Sequence, residues 1–260
     1  MNVDGTKNIC AAALVHGVGR LIHISSTIVL KPRKEYSGLR NSPLTRIALY
    51  HASRVEAEEI VGEYGRKGLS VAIVRPKTFL GPGRCKEFAV IFEWIRRGRP
   101  VPLLGSGRNR YQLLDVRDLA EGVRLLAAAE AKGIFFFGAR DFDTVREDLQ
   151  ALLDHACTGS RLWHLPGGIA RVLLRMMEAA HIVPLSEWYY MSARGEDSVV
   201  DISRAERELA WRPRRSNRQA LVGAYEWYVA NRVVNGSAIY VHPAHLAHRV
   251  AKQLYDLIAR

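Results

Sequence analysis

Val71-Ala72-Ile73-Val74 is an unbroken apolar run closed by Arg75-Pro76. A strand with one wet face alternates apolar and polar residues, so an uninterrupted run marks a strand covered on both sides, as in a parallel sheet. The chain that must supply those covers has 260 residues at 48% hydrophobic, enough for a core in one large or two small units.

Around this run the chain divides into short strands and helices. Residues 4–17 read as a helix stopped by Gly17 and Gly19, and Leu21 to Ile24 as a strand entering the hydroxyl-rich Ser25-Ser26-Thr27. Residues 31–46 read as a loop, 50–66 as a helix and Leu69 to Val74 as the next strand. Beyond Gly81-Pro82-Gly83 come a helix over 88–95, a short strand over 101–104 and a strand over 111–115. A helix from 116 or 117 to about 131, a strand over 134–138 and helices over 144–156 and 168–180 follow, the last carrying Met176-Met177 as core filler. Ser203 is expected to cap a helix through Leu209, and Ser216 or Asn217 another through about Val229. His245 to Ile258 has apolar residues at helical spacing and forms a basic amphipathic tail.

Tyr50 and Arg54 lie four residues apart on one helical face, and Thr27 precedes Tyr50 by 23 residues. A phenol, a permanent cation one turn away and a hydroxyl from a neighbouring strand end form a proton-transfer device. The cation favours the phenolate and the hydroxyl bonds a substrate oxygen.

At these residues the sequence resembles the extended short-chain dehydrogenase/reductase family, the NAD-dependent epimerases, dehydratases and sterol-type dehydrogenases. Asn2-Val3-Asp4-Gly5-Thr6-Lys7-Asn8 is similar to the family's N-V-x-G-T-x-N, Ser25-Ser26-Thr27 to its S-S-[ST], and Tyr50 to Arg54 to its Y-x-x-x-K. Arg75-Pro76 with Gly81-Pro82, Val116-Arg117-Asp118-Leu119-Ala120, and Ser203-Arg204-Ala205 with Leu209-Ala210-Trp211-Arg212-Pro213 continue the likeness in order, to about residue 232. The resemblance implies an α/β fold, the C-terminal part of a Rossmann-like parallel sheet with flanking helices and a smaller mixed substrate-binding domain. It implies second-half Rossmann-like structure over 1–83, a substrate-domain segment over 84–110 and a return to the sheet over 111–145. A substrate-binding C-terminal region over 146–232 and the tail over 233–260 complete the division.

The family opens on a strand, a glycine-rich turn and a helix that grip the dinucleotide pyrophosphate. No such motif precedes Asn2, so the glycine-rich βαβ half is expected to be missing and Leu21 to Ile24 to lie at a sheet edge. Carried over by position, Tyr50 is the acid/base, Thr27 or Ser26 the hydroxyl, and Arg54 stands in for the family's lysine. Arg54 keeps the charge but is a poor proton relay with a bulkier fork. Ser25, Tyr50, Arg54, Pro76, Lys77 and Thr78 would meet the cofactor, NAD or NADP. Arg84, Arg110 and Tyr111 would meet the substrate. In the best register Tyr111 takes the place of a diphosphate-binding arginine and Arg110 falls one residue early.

The expected activity is that of an epimerase/dehydratase-type oxidoreductase acting at a hydroxyl or keto carbon of a nucleotide sugar or related small molecule, impaired in this shorter chain. A sterol-type dehydrogenase and a non-catalytic interaction scaffold are the alternatives. Helices 4–17 and 50–66 are those by which the family pairs, giving a homodimer. Scattered cysteines (Cys10, Cys85, Cys157) point to a reducing, cytoplasmic setting without disulfides, and no apolar stretch approaches a membrane span. The net charge of +12 raises nucleic acid as a partner, but the arginines are spread along the chain and their clusters lack interleaved aromatics. His242, His245 and His248 lack a nearby carboxylate or thiol, so no metal is expected.

Overall fold

The computed structural model describes residues 2–30, 45–85, 87–179 and 187–231. They form two compact units, each assembled from separate stretches of chain. Of the described residues, one unit takes those within 1–79, 112–141 and 200–216, and the other those within 80–111, 142–199 and 217–231.

The first unit is built on three parallel strands, β1 (Leu21–Ile24), β2 (Val71–Pro76) and a third, Gly133–Phe137, in the order β1, β2, Gly133–Phe137. Leu21 pairs with Val71 and Ile24 with Val74, while Ala72 pairs with Gly133 and Pro76 with Phe137. Both faces of β2 are covered, as its unbroken apolar run requires. On one side Ala72 and Val74 pack with Leu114, Leu119, Phe135, Phe137 and Trp211. On the other, Ile73 packs with Cys10 and Ala13 of helix α1 (Asn2–Val15) and Val61 of helix α2 (Thr45–Arg66). Among the described residues β1 ends the sheet, as expected of an edge.

Three segments meet at Asp118. Its buried carboxylate accepts the N–H groups of Arg214 (3.0 Å) and Arg215 (2.9 Å) and the Arg215 guanidinium (2.8 Å). The Trp211 indole donates to the Asp118 carbonyl at 3.0 Å, and its ring stands edge-on to Phe137 with centroids 4.6 Å apart.

In the second unit the parallel strands Val101–Leu104 and Leu162–Leu165 pair. Gly105 follows at φ +74°, and a Cβ there would lie 2.8 Å from the Ser192 carbonyl, so only glycine suits this approach. Phe92 meets Tyr225 edge-on at 5.7 Å, and the buried Glu93 is held by Arg96, Arg97 and the Tyr228 hydroxyl.

Several expectations need correction. Helix α2 starts at Thr45, not Tyr50, because Ala48 and Leu49 are good helix formers that extend it backward. The strand expected over 69–74 runs from Val71 to Pro76, since Gly68 at φ +102° turns the chain before it. Only Leu114–Asp115 of the expected 111–115 strand is extended in a ladder. Met176 is 62% exposed, so it is not core filler. Ser203 does not cap its helix; it donates its hydroxyl to Asp201, and Ile202 holds the cap position. The last described helix, Asn217–Asn231, begins where expected, with Ser216 before it and Asn217 buried, its amide donating to the Tyr111 carbonyl and to Asp148. Strand Leu162–Leu165 and helix Glu187–Arg194 were not foreseen. Most of the expected 31–46 loop and the tail from 233 lie outside the described residues. No helix among the described residues is long and apolar enough to cross a membrane.

Candidate active site

The carboxyl ends of β1 and β2 carry the candidate residues, the end of an open α/β sheet at which ligands bind. Ser25 continues β1, its N–H donating to the Val74 carbonyl at 2.7 Å. The chain then turns: the Ile28 N–H donates to the Ser26 hydroxyl oxygen at 3.3 Å, and a 3-10 turn over Thr27–Leu30 follows with Thr27 buried. Helix α2 packs against this turn. Pro76 ends β2, and the buried Lys77 continues the ladder, its N–H donating to the Phe137 carbonyl at 2.9 Å. The Leu114 N–H donates to the Thr78 carbonyl at 3.0 Å.

Helix α2 presents Tyr50, Arg54 and Glu58 as a row at four-residue spacing, one above the other. The Arg54 guanidinium stands over the Tyr50 ring, 5.1 Å from its centroid, and donates through Nη1 to the Ile24 carbonyl at 3.1 Å. The second contact anchors the cation to the end of β1. Tyr50 is 40% exposed, and the Ser53 hydroxyl donates to its carbonyl at 2.9 Å. Asn2 of α1 donates to Ser53 at 3.1 Å, tying the first helix to this turn of the second.

Two further pairs were not read from the sequence. Glu58 receives Arg75 through Nε, at 3.0 and 3.2 Å from its two oxygens, and through Nη2. The Arg75 guanidinium also lies over the Phe136 ring at 5.7 Å. His23 of β1 faces the same helix; burial pushes its basicity down, the Arg54 cation pushes it further, and Glu58 opposes both. Its imidazole is therefore neutral near pH 7. The signal available in the sequence was the four-residue step from Arg54 to Glu58, and it points to the wrong pair.

Three buried polar atoms at this strand end have no hydrogen-bond partner among the described residues: the Ser25 hydroxyl, the Arg54 Nε and the His23 Nε2. Each such atom costs about 1–3 kcal/mol when left unsatisfied. Their donors and acceptors suit a ligand bearing hydroxyl and amide groups, as the nicotinamide riboside end of a dinucleotide does.

Arg84, Arg110 and Tyr111 belong to the other unit. Arg84 pairs with Glu87 at 3.0 Å. Arg110 pairs with Asp197 at 2.7 Å, and the Arg110 N–H also donates to that carboxylate. Tyr111 is 1% exposed.

With this geometry in view, the comparisons with known proteins agree on a class. The sequence model of the NAD dependent epimerase/dehydratase family matches residues 1–136. The chain is 35% identical over 239 residues to the uncharacterised protein y4nG of Sinorhizobium fredii (strain NBRC 101917 / NGR234), covering 91% of this chain and 60% of that one. A dTDP-glucose 4,6-dehydratase of Streptomyces antibioticus is 28% identical over 237 residues, 89% of this chain and 64% of its own length. In fold, the chain is similar to the UDP-glucuronic acid 4-epimerase of Bacillus cereus in complex with UDP-glucuronic acid and NAD. That match has a TM-score of 0.66 at 16% identity and covers 88% of this chain and 68% of the epimerase. The fold and site define an α/β protein of Rossmann type with a candidate proton-transfer site at its strand ends. This chain belongs to the NAD dependent epimerase/dehydratase family, within the extended short-chain dehydrogenases/reductases.

Proposed function

We propose that the chain carries the reacting part of an NAD(P)-dependent oxidoreductase of the epimerase/dehydratase type, acting at a hydroxyl- or keto-bearing carbon of a nucleotide sugar. The observation that carries this reading is the Arg54 guanidinium, held by the Tyr50 ring and by the Ile24 carbonyl at the end of β1, where the chain enters the buried Ser25 and Thr27. Tyr50 gives or takes the proton on the substrate oxygen. Thr27, or Ser26 in its place, bonds that oxygen, and Arg54 supplies the positive charge that steadies the phenolate. Ser25, Tyr50, Arg54, Pro76, Lys77 and Thr78 hold the nicotinamide end of the cofactor, NAD or NADP. The bound cofactor supplies hydride acceptance and donation. In this reading a further segment supplies the pyrophosphate grip; the chain spans 60% of y4nG and 64% of the dehydratase. Activity of the chain by itself is accordingly impaired.

Arg84, Arg110 and Tyr111 are the substrate-side residues of this reading. A sterol-type reductase is the second reading, favoured by one observation: Arg110 is already held by Asp197. A guanidinium so engaged is less free to take a diphosphate. Exposed Ile9, Val15 and Leu49 on α1 and α2 support pairing of two copies through these helices.

The test is hydride transfer to NAD or NADP with dTDP-glucose, UDP-glucuronic acid and a 3β-hydroxysteroid as substrates, using the protein joined to a dinucleotide-binding segment. Tyr50→Phe should lower the rate by roughly 10²–10⁴, the contribution of a positioned acid/base group. A Tyr50→Phe protein that keeps its rate overturns the proposal. Preference among the three substrates separates the two readings.

A further inference from the structure

We infer that Arg75 is a positioning residue for Arg54: by occupying Glu58 it keeps that carboxylate from capturing the cation beside Tyr50. The inference rests on the reading of Arg54 as the charge that acts on Tyr50.

On a helix, opposite charges four residues apart pair readily. Arg54 and Glu58 have this spacing, and both lie on the face that packs against the sheet. Yet Arg54 bonds the Ile24 carbonyl instead, and its buried Nε has no hydrogen-bond partner among the described residues. Both Glu58 oxygens go to Arg75. Arg75 can take them because it lies one residue before the end of β2, on the same side of the sheet as His23, and presents a two-pronged fork that matches a carboxylate. Its stem is confined, with the side chain 17% exposed against 9% for Glu58 and the guanidinium set over Phe136. His23, between Arg54 and Glu58 in its electrostatic surroundings, is neutral and offers neither a competing charge.

Remove the Arg75 charge and the nearest cation to Glu58 on its own helix is Arg54. The carboxylate then draws the guanidinium back along the helix, away from Tyr50. A residue that only cements α2 to β2 behaves differently, because its loss leaves the Arg54 guanidinium on the Tyr50 ring whether Glu58 is present or replaced.

The experiment uses the chain as it stands, without cofactor or substrate, so a failure of the proposed activity leaves it readable. Crystal structures of Arg75→Met and of Arg75→Met with Glu58→Gln are compared with the parent. Arginine side-chain ¹⁵N NMR is recorded on all three, with the Arg54 Nε–H resonance assigned by Arg54→Lys. In Arg75→Met the Arg54 guanidinium should leave the Tyr50 ring, passing beyond the ~6 Å reach of a cation–π contact, and its Nε–H should take on the signature of a carboxylate bond. In the double variant it should return to the ring and to the Ile24 carbonyl. Arg75→Lys should leave it in place. The inference is overturned by an Arg54 that stays put in Arg75→Met, or by a displacement that Glu58→Gln does not reverse. A single variant that fails to fold overturns it too, by assigning the pair to structure alone.

Discussion

Asp148 shows how burial retunes a single group. The residue is 4% exposed, and desolvation, with the Asp143 charge adding to it, lifts its carboxyl to about 6 against the pull of the Asn217 amide (2.7 Å) and of Arg218. The folded protein therefore holds the proton more tightly than the unfolded chain does. Between pH ~4 and ~6 the native state binds more protons, so stability from this group is fully present below the ordinary carboxylate value and is lost as pH rises through about 6. The lost stability amounts to ~3 kcal/mol. Asp148→Asn should be more stable than the parent at pH 7.5, with the gap closing toward pH 4, in urea unfolding followed across that range. At this scale the sequence made Tyr50, Arg54 and the hydroxyl turn legible, because spacing along one helix and one strand end is a local property. The Arg75–Glu58 pair was not legible. The local rule joins Glu58 to Arg54, and only the tertiary contact of α2 with β2, which brings Arg75 to Glu58, decides otherwise.

At the scale of elements, small residues decide how closely helices approach the sheet. Helix Val116–Ala128 meets the strand Gly133–Phe137 at Gly122, where an added Cβ would lie 2.7 Å from the Phe137 ring. Gly122→Ala gains helix propensity, about 1 kcal/mol, but must push a ring already set against Trp211, at a cost of ~1–3 kcal/mol. The expected outcome is a lower melting temperature with unchanged helix content by circular dichroism. Helix Val145–Ala156 starts at a reciprocal cap, with the Thr144 hydroxyl oxygen accepting from the Glu147 N–H at 3.3 Å and the Glu147 carboxylate accepting from the Thr144 N–H at 3.1 Å. Thr144→Ala should cost ~1 kcal/mol by the same melts. This start was legible because capping chemistry is written within four residues. The start of α2 at Thr45 was not legible, since no capping residue or glycine marks it and the helix formers Ala48 and Leu49 carry the helix back past Tyr50.

At the scale of the whole molecule, the two units interleave along the chain, which no local pattern announces. Asp118 is where the first unit closes, joining the stretch 112–141 to 200–216. Asp118→Ala removes an acceptor from two backbone N–H groups and a counter-charge from Arg215. It should lower unfolding stability by ~2–4 kcal/mol in chemical denaturation, a larger loss than either element-scale change. The motifs that close the unit, around Asp118 and Trp211, were legible as a family resemblance. Their joint role in fastening distant stretches together was not, because it depends on contacts across about 90 residues of intervening sequence.

That interleaving sets a schedule on the ribosome. The three sheet strands and helices α1 and α2 precede the Trp211 segment that helps cover one side of the sheet, and the 142–199 stretch of the second unit lies between. At about 5–20 residues per second, the nascent sheet waits several seconds with Phe135 and Phe137 covered by helix Val116–Ala128 but not yet by Trp211. A unit whose closing segment lies beyond the 142–199 stretch should lose soluble product when codons that slow that stretch are introduced, measured as the soluble fraction after expression.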